Sequence, residues 1–220
     1  MVSRTRAPLY VLGAGGHARV LIDAYLLLGE AIAGVLDPDT GTHGATMLGG
    51  VRVLGGEDLL EREGAASNCR LVNALGSVRL PRLRQTVYER FAGKGFTFAG
   101  LVHPSATVSP HATVEPDAQI MAGVVVQAGA RIGRNVIINT RASVDHDCEI
   151  GAHTHIAPGV TLSGDVKVGA GSHVGTGAVV VQGVRVGAGC VVGAGAVVLA
   201  DVADGATVVG VPARRIQERA

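Results

Sequence analysis

Stepping by six from Val102 to Val198 meets only Val, Ile and Leu, seventeen times in succession. Four places after each of these anchors stands a compact residue, Ala, Val, Cys, Thr or Ser, from Ala106 to Val202. An α-helix cannot keep every sixth residue on one face, because six residues turn it by about 600°, or 240° net. A short strand followed by a turn can. Each hexad therefore reads as one flat side of a parallel coil, and glycine often follows the anchor, as in IGRNVI, IGAHTH, VGAGSH and VGAGAV. The composition agrees: 33 glycines, no Trp, three Tyr and three Phe leave a core of Val, Ile, Leu and Ala, the mark of a repetitive architecture.

With 47% hydrophobic and 17% charged residues the chain is not disordered. A formal charge of +1, no basic tract and few aromatic residues argue against a nucleic-acid partner. Cys69, Cys148 and Cys190 are odd in number, widely spaced and without a CxxC pair, so neither a disulfide framework nor a zinc knuckle is expected. The first apolar run breaks at Gly13, and none approaches the roughly 18 residues a membrane helix needs. The expectation is a cytoplasmic protein with no signal peptide and no membrane insertion.

The first hundred residues carry a different pattern. A strand at 9–12, a glycine turn and a helix from about His17 to Leu28, with Val20, Leu21, Ala24, Leu27 and Leu28 as its apolar stripe, precede a second strand ending at Asp37. VRVLGG and CRLVNALG supply further extended runs, and a helix starts at Pro81. This is a small βαβ unit of Rossmann type. Gly13 to Ala18 spell G-x-G-x-x-A, so backbone N–H groups at a helix start are set to face phosphate while Asp37 takes a ribose hydroxyl. The unit lacks the two halves that hold a dinucleotide, so a nucleotide diphosphate fits better.

The [LIV]-G-x-x-x-x pattern over residues 102–203 resembles the left-handed parallel β-helix of the hexapeptide-repeat acyltransferases, in which residues 18 apart stack. GAGGHA, LVHPSATVSP, INTRASVDHDCEIG and the terminal VGVPARRI together resemble the bacterial acetyl-CoA-dependent N-acetyltransferases of nucleotide-activated amino sugars, a group allied to the sialic acid O-acetyltransferases. The resemblance implies a Rossmann-like α/β nucleotide-sugar domain at 1–100 and a β-helix at 101–220 with a short C-terminal tail. It also implies a homotrimer, and N-acetylation of a nucleotide-diphosphate-linked, 4-amino-dideoxy sugar. The alternatives are sugar O-acetylation, a zinc hydratase of the carbonic anhydrase kind, and a solenoid without chemistry.

Within VDHDCEIGAHTH, His146 has Ala128 and Gly164 as neighbours 18 residues away, neither large enough to crowd an imidazole. Asp147, beside it, can orient the ring through Nδ1–H and raise its basicity, with Asp145 as a competing orienter. By resemblance His146 with Asp147 is the general base, His155 contacts the acetyl group or pantetheine of acetyl-CoA, the Gly164 N–H is the oxyanion donor, Thr176 and Ala194 line the acetyl-CoA groove, and Asn139 lies near the transferred group. Gly15, Gly16, His17, Asp37 and Gly76 match nucleotide-sugar contacts. Ser77-Val78 depart from the Asn or Asp that relatives often carry there. Cys148 sits at a compact inward position and reads as core, and His153 as solvated surface. His155 and His173 stack, but the histidine spacing is not that of the zinc hydratases, and no metal is expected.

Overall fold

The computed structural model describes residues 7–62, 68–76 and 81–216. Ser77-Val78 lie outside the described residues. Two compact units are present: Met1–Gly76 with Thr86–Ala99, and Ser77–Gln85 with Gly100–Ala220. The fold is an α/β N-terminal unit followed by a left-handed parallel β-helix.

In the first unit, β1 (Leu9–Leu12), β2 (Ile32–Leu36), β3 (Val53–Gly55), β4 (Arg70–Asn73) and β5 (Thr97–Phe98) form a parallel sheet in the order β3-β2-β1-β4-β5. The helices are α1 (Gly16–Leu27), α2 (Asp58–Arg62) and α3 (Pro81–Gly93), the last belonging to this unit from Thr86 on. Leu12, Leu36, Leu71, Phe91 and Phe98 belong to one buried cluster, and Phe91 meets Phe96 edge-on at 5.4 Å. All six aromatic residues of the chain fall in this unit.

The buried face of α1 differs from the expected stripe. Ala18, Leu21, Ile22, Ala24 and Tyr25 are inside, whereas Val20, Leu27 and Leu28 are 44%, 62% and 44% exposed. Ala18, Leu21, Ile22 and Tyr25 follow the i, i+3, i+4, i+7 rule, so the true stripe is carried by a small residue and a tyrosine. Tyr25 belongs inside because its hydroxyl donates to the Ala99 carbonyl at 3.1 Å.

The second unit is a three-sided coil whose two-residue strands pair in parallel at a spacing of 18. One side runs Thr107–Val108, Val125–Val126, Ser143–Val144, Thr161–Leu162, Val179–Val180 and Val197–Val198. Its outward residues are small. A second side turns Thr113, Arg131, Glu149, Lys167 and Arg185 outward and is charged. The third turns Leu101, Gln119, Ile137, His155, His173 and Val191 outward; the first four of these are buried.

Inside, Val126, Val144, Leu162, Val180 and Val198 are all at most 1% exposed. Each contributes about 1.5–3 kcal/mol by burial. The polar residues at compact inward positions are satisfied locally. Thr154 Oγ1 donates to the Gly169 carbonyl, Ser172 Oγ to that of Gly187, and Cys148 Sγ to that of Ser163. Glycine after the anchor has a steric cause: a Cβ on Gly151 would fall 2.5 Å from the Ala170 nitrogen in the next coil.

The hexad register ends at Val198. Val186 pairs with Val202, and Val191 with Thr207, both at a spacing of 16. The last coil is thus two residues short, and Val202 takes a strand position opposite an anchor. At the other end Val102 is 45% exposed, because the first coil has no preceding coil of the repeat to stack on. Beyond the last coil, Arg214–Ile216 form a strand antiparallel to Thr207–Val209. Among the described residues no helix is long and apolar enough to cross a membrane.

Leu162→Ala is expected to cost about 2–5 kcal/mol, since neighbours in a continuous column relax little. Urea denaturation followed by circular dichroism checks this as a lowered midpoint.

Candidate active site

The turn between the small-residue side and the charged side places His146 and Asp147 one coil before Gly164 and Asp165. At this corner the second turn residue takes a left-handed conformation. Gly129 and Gly183 adopt it with φ of 76° and 77°, but Asp147 and Asp165 adopt it with φ of 60° and 57°. Two acids therefore occupy glycine positions, at a cost that Asp bears better than most residues.

The His146 Nδ1–H donates to Asp147 Oδ2 at 2.9 Å. A carboxylate only accepts, so this bond assigns the proton to Nδ1 and leaves the Nε2 lone pair available in the neutral ring. Asp145 does something else: its Oδ1 accepts the His146 backbone N–H at 2.7 Å. The hydrogen bond to Asp147 pushes the imidazole above its ordinary 6.5, burial opposes this, and the charges of Asp145, Asp147 and Asp165 add to it. The ring lies over Gly164, whose missing Cβ would stand 2.3 Å from His146 Nε2. The room that the sequence indicated beside His146 is filled by the imidazole itself. Among the described residues nothing accepts from the Gly164 N–H.

His155 lies elsewhere on the coil. It is on the outward face of the third side, opposite the corner that carries His146, and is 5% exposed. Its Nε2 is 3.1 Å from Asn139 Nδ2. The Thr140 N–H and hydroxyl both donate to Asn139 Oδ1, at 2.8 and 3.3 Å, which fixes the amide and turns its NH2 to the imidazole. His155 Nε2 must therefore accept. The next corner, between this side and the small-residue side, carries Thr176 and Ala194, both exposed and one coil apart. So the candidate residues form two groups within one chain: His146, Asp147 and Gly164 on one corner, and Asn139, His155, Thr176 and Ala194 on the third side and its following corner.

His153 is not solvated surface. It takes a left-handed turn position with φ of 63°, and its Nδ1 accepts from the Nδ2 of buried Asn135 at 2.9 Å. The 18-residue step between the two names this pair in the sequence. The Thr140 contribution to Asn139 had no such signal, because it comes from an adjacent residue of ordinary type. Among the described residues no group of three or more His, Cys, Asp and Glu is arranged to hold a metal ion.

In the first unit the strand order reverses at β1 and β4, the usual place for a ligand outside the carboxyl ends of parallel strands. Gly15, Gly16 and His17 follow β1 at the start of α1, and Gly76 follows β4. A Cβ at Gly15, Gly16 or Gly76 would meet nothing within 4 Å. Asp37 follows β2 directly and is already engaged: Oδ2 accepts the Ala14 N–H at 2.6 Å and Oδ1 the Asp39 N–H at 2.8 Å. The expectation that this loop turns its N–H groups to phosphate is thus corrected at Ala14, whose N–H belongs to Asp37.

Residues 8–91 match the family described as PglD N-terminal domain, and residues 129–164 match bacterial transferase hexapeptide (six repeats). The acetyltransferase domain of PglB from Neisseria gonorrhoeae is 40% identical over 96% of this chain and 100% of that one, with a TM-score of 0.87. The same domain has been solved in complex with acetyl coenzyme A, at 39% identity, 96% and 100% coverage and a TM-score of 0.86. PerB from Caulobacter crescentus, in complex with CoA and GDP-perosamine, is 39% identical over 96% of this chain and 97% of its own, with a TM-score of 0.86.

Gly164→Ala is expected to displace the His146 ring without harming the coil, because the clash falls on an exposed side chain. NMR titration should show the imidazole moving down toward its ordinary 6.5, with the melting temperature changed by no more than about 2 °C.

Proposed function

The chain belongs to the hexapeptide-repeat acetyltransferases that carry a PglD-type N-terminal domain, and on that premise we propose that it transfers the acetyl group of acetyl-CoA to the amine of a nucleotide-diphosphate-linked 4-amino sugar. The observation that carries this reading is the His146–Asp147 pair, with its open Nε2 set against Gly164. The neutral amine attacks the thioester carbonyl while His146 Nε2 takes its proton. The Gly164 N–H receives the negative charge that develops on the carbonyl oxygen. Collapse expels the CoA sulfur, which takes the proton back from the imidazolium. Asp147 holds the Nδ1–H and favours the charged ring, and Asp145 fixes the backbone that carries it. Cys148 stays out of this chemistry, since it is buried and its thiol donates to the Ser163 carbonyl.

Asn139, His155, Thr176 and Ala194 are proposed to hold the acyl end and pantetheine arm of acetyl-CoA. Gly15, Gly16, His17, Asp37 and Gly76 are proposed to hold the nucleotide sugar at the β1/β4 crevice. A homotrimer reconciles the two groups on the coil. With the small-residue sides facing a three-fold axis, the corner with Thr176 and Ala194 on one subunit meets the corner with His146 on the next. Support comes from Val125, Ser143, Val179 and Val197, short side chains that are only half-buried in the single chain. With acetyl-CoA as donor, the reading implies a cytoplasmic enzyme.

The test is release of CoA thiol with a panel of UDP-, GDP- and dTDP-linked 4-amino sugars. Turnover with at least one, and a loss of about 10²–10⁴ in His146→Ala, are expected. Acetylation confined to sugar hydroxyls would replace this reading with the O-acetyltransferase one.

Because the base must be neutral, the rate should rise with pH through a pKa above 6.5. In Asp147→Asn the largest cause of that elevation is gone, so the limb moves to lower pH while the plateau drops about tenfold or more. A pH–kcat/KM profile of both proteins checks the sign.

A further inference from the structure

We propose that His173 is a positioning residue for acyl transfer: it braces the His155 ring so that Nε2 stays on Asn139, and thereby fixes where the Asn139 amide points. This rests on the acetyltransferase reading given above.

The parallel register pairs His155 with His173 directly, with Ile137 and Val191 beyond them in the same outward column. The two rings are perpendicular, at 88°, with centroids 5.0 Å apart. That edge-to-face arrangement suits two neutral rings, since a positive edge meets a negative face. Burial pushes His173 below its ordinary value, which keeps it neutral beside His155.

At least three constraints then act on His155. Its backbone N–H donates to the Ser172 carbonyl at 3.0 Å, its Nε2 accepts from Asn139, and its ring packs perpendicular to that of His173. Asn139 is itself fixed from behind by Thr140. Rotation of the His155 ring would break the Nε2 contact and release the amide, and it would also break the perpendicular packing against His173. The chain Thr140–Asn139–His155–His173 therefore holds one tautomer of His155, with the proton on Nδ1.

The nitrogens of His173 are not what this role uses; its ring is. His173→Phe keeps a flat edge-on ring, whereas His173→Val removes it and installs the residue already found one coil further along the column, at Val191. In the valine variant kcat is expected to fall about tenfold, the scale of a reacting group held loosely, with KM for the nucleotide sugar unchanged. The phenylalanine variant should recover to within about threefold of the parent. Since His173 acts through His155, the valine substitution should have no further effect in a His155→Ala background.

A readout independent of turnover is the ring-nitrogen NMR spectrum of His155. The parent and His173→Phe should show a single Nδ1–H tautomer, and His173→Val a mixture. Three results would each overturn the proposal: a parent His155 protonated on Nε2 at neutral pH, a valine variant with the parent's kcat and tautomer, or additive effects in the double variant. Failure of the parent to acetylate any amino sugar would overturn the functional reading instead, and the tautomer measurement would still decide the role of His173.

Discussion

The parallel pairing of each two-residue strand with its counterpart 18 residues on is the constraint from which the rest follows. Strands so paired lie about 4.8 Å apart, so any feature repeated at that interval becomes a continuous column. Val126, Val144, Leu162, Val180 and Val198 become a core in this way, with no aromatic residue needed. The same rule brings His146 over Gly164 and His155 against His173. A site built on this lattice inherits its rigidity, because moving one residue means shearing the coils on both sides.

The corners are where the lattice admits chemistry. Most second turn positions with positive φ are glycine, which bears the left-handed backbone without strain, but Asn135, Arg141, Asp147, His153 and Asp165 also adopt it. Such a conformation costs most side chains roughly 1–2 kcal/mol, and Asn and Asp less. The first four occupy successive corners six residues apart, and Asp165 follows two corners after His153. At Asp147 the return is evident: a left-handed backbone immediately after His146 turns the carboxylate back onto Nδ1. Asp145, two residues earlier, reaches the backbone N–H and not the ring. Two carboxylates of equal chemistry thus hold one histidine at two different points.

How much of this was legible depended on the repeat. An invariant step of six fixed the strands, the inward anchors and the axial neighbours of His146 directly from the residues. Where the step failed, so did the reading. Val202 looked like corner filler but pairs as a strand residue, since the closing coil drops two residues. The α1 stripe was misplaced because exposed leucines at its C-terminal end outweighed Ala18 and Tyr25, and aliphatic character alone does not say which face meets the sheet. His153 reads as solvated surface from its polarity, but it occupies a turn where its Nδ1 meets Asn135. The distinct outward characters of the three sides were present in the residues before each anchor, yet only pairing into sheets made them three surfaces.

Those three surfaces keep the two groups of candidate residues apart within one chain. In a triangular coil every corner faces away from the opposite side, and His146 stands on the corner opposite the side that presents His155. No rotation of either side chain spans the core between them, because that core is filled with buried aliphatic residues. The charged side, with Glu149 pairing Lys167 at 3.2 Å, keeps its long polar side chains toward water and is poorly suited to close packing between copies. The small-residue side has the short side chains that allow approach, and its two bounding corners carry His146 with Asp147 and Thr176 with Ala194. In the proposed assembly the surface that joins subunits and the edges that form the active site are therefore the same strip of the coil, so catalytic competence and association would be lost together.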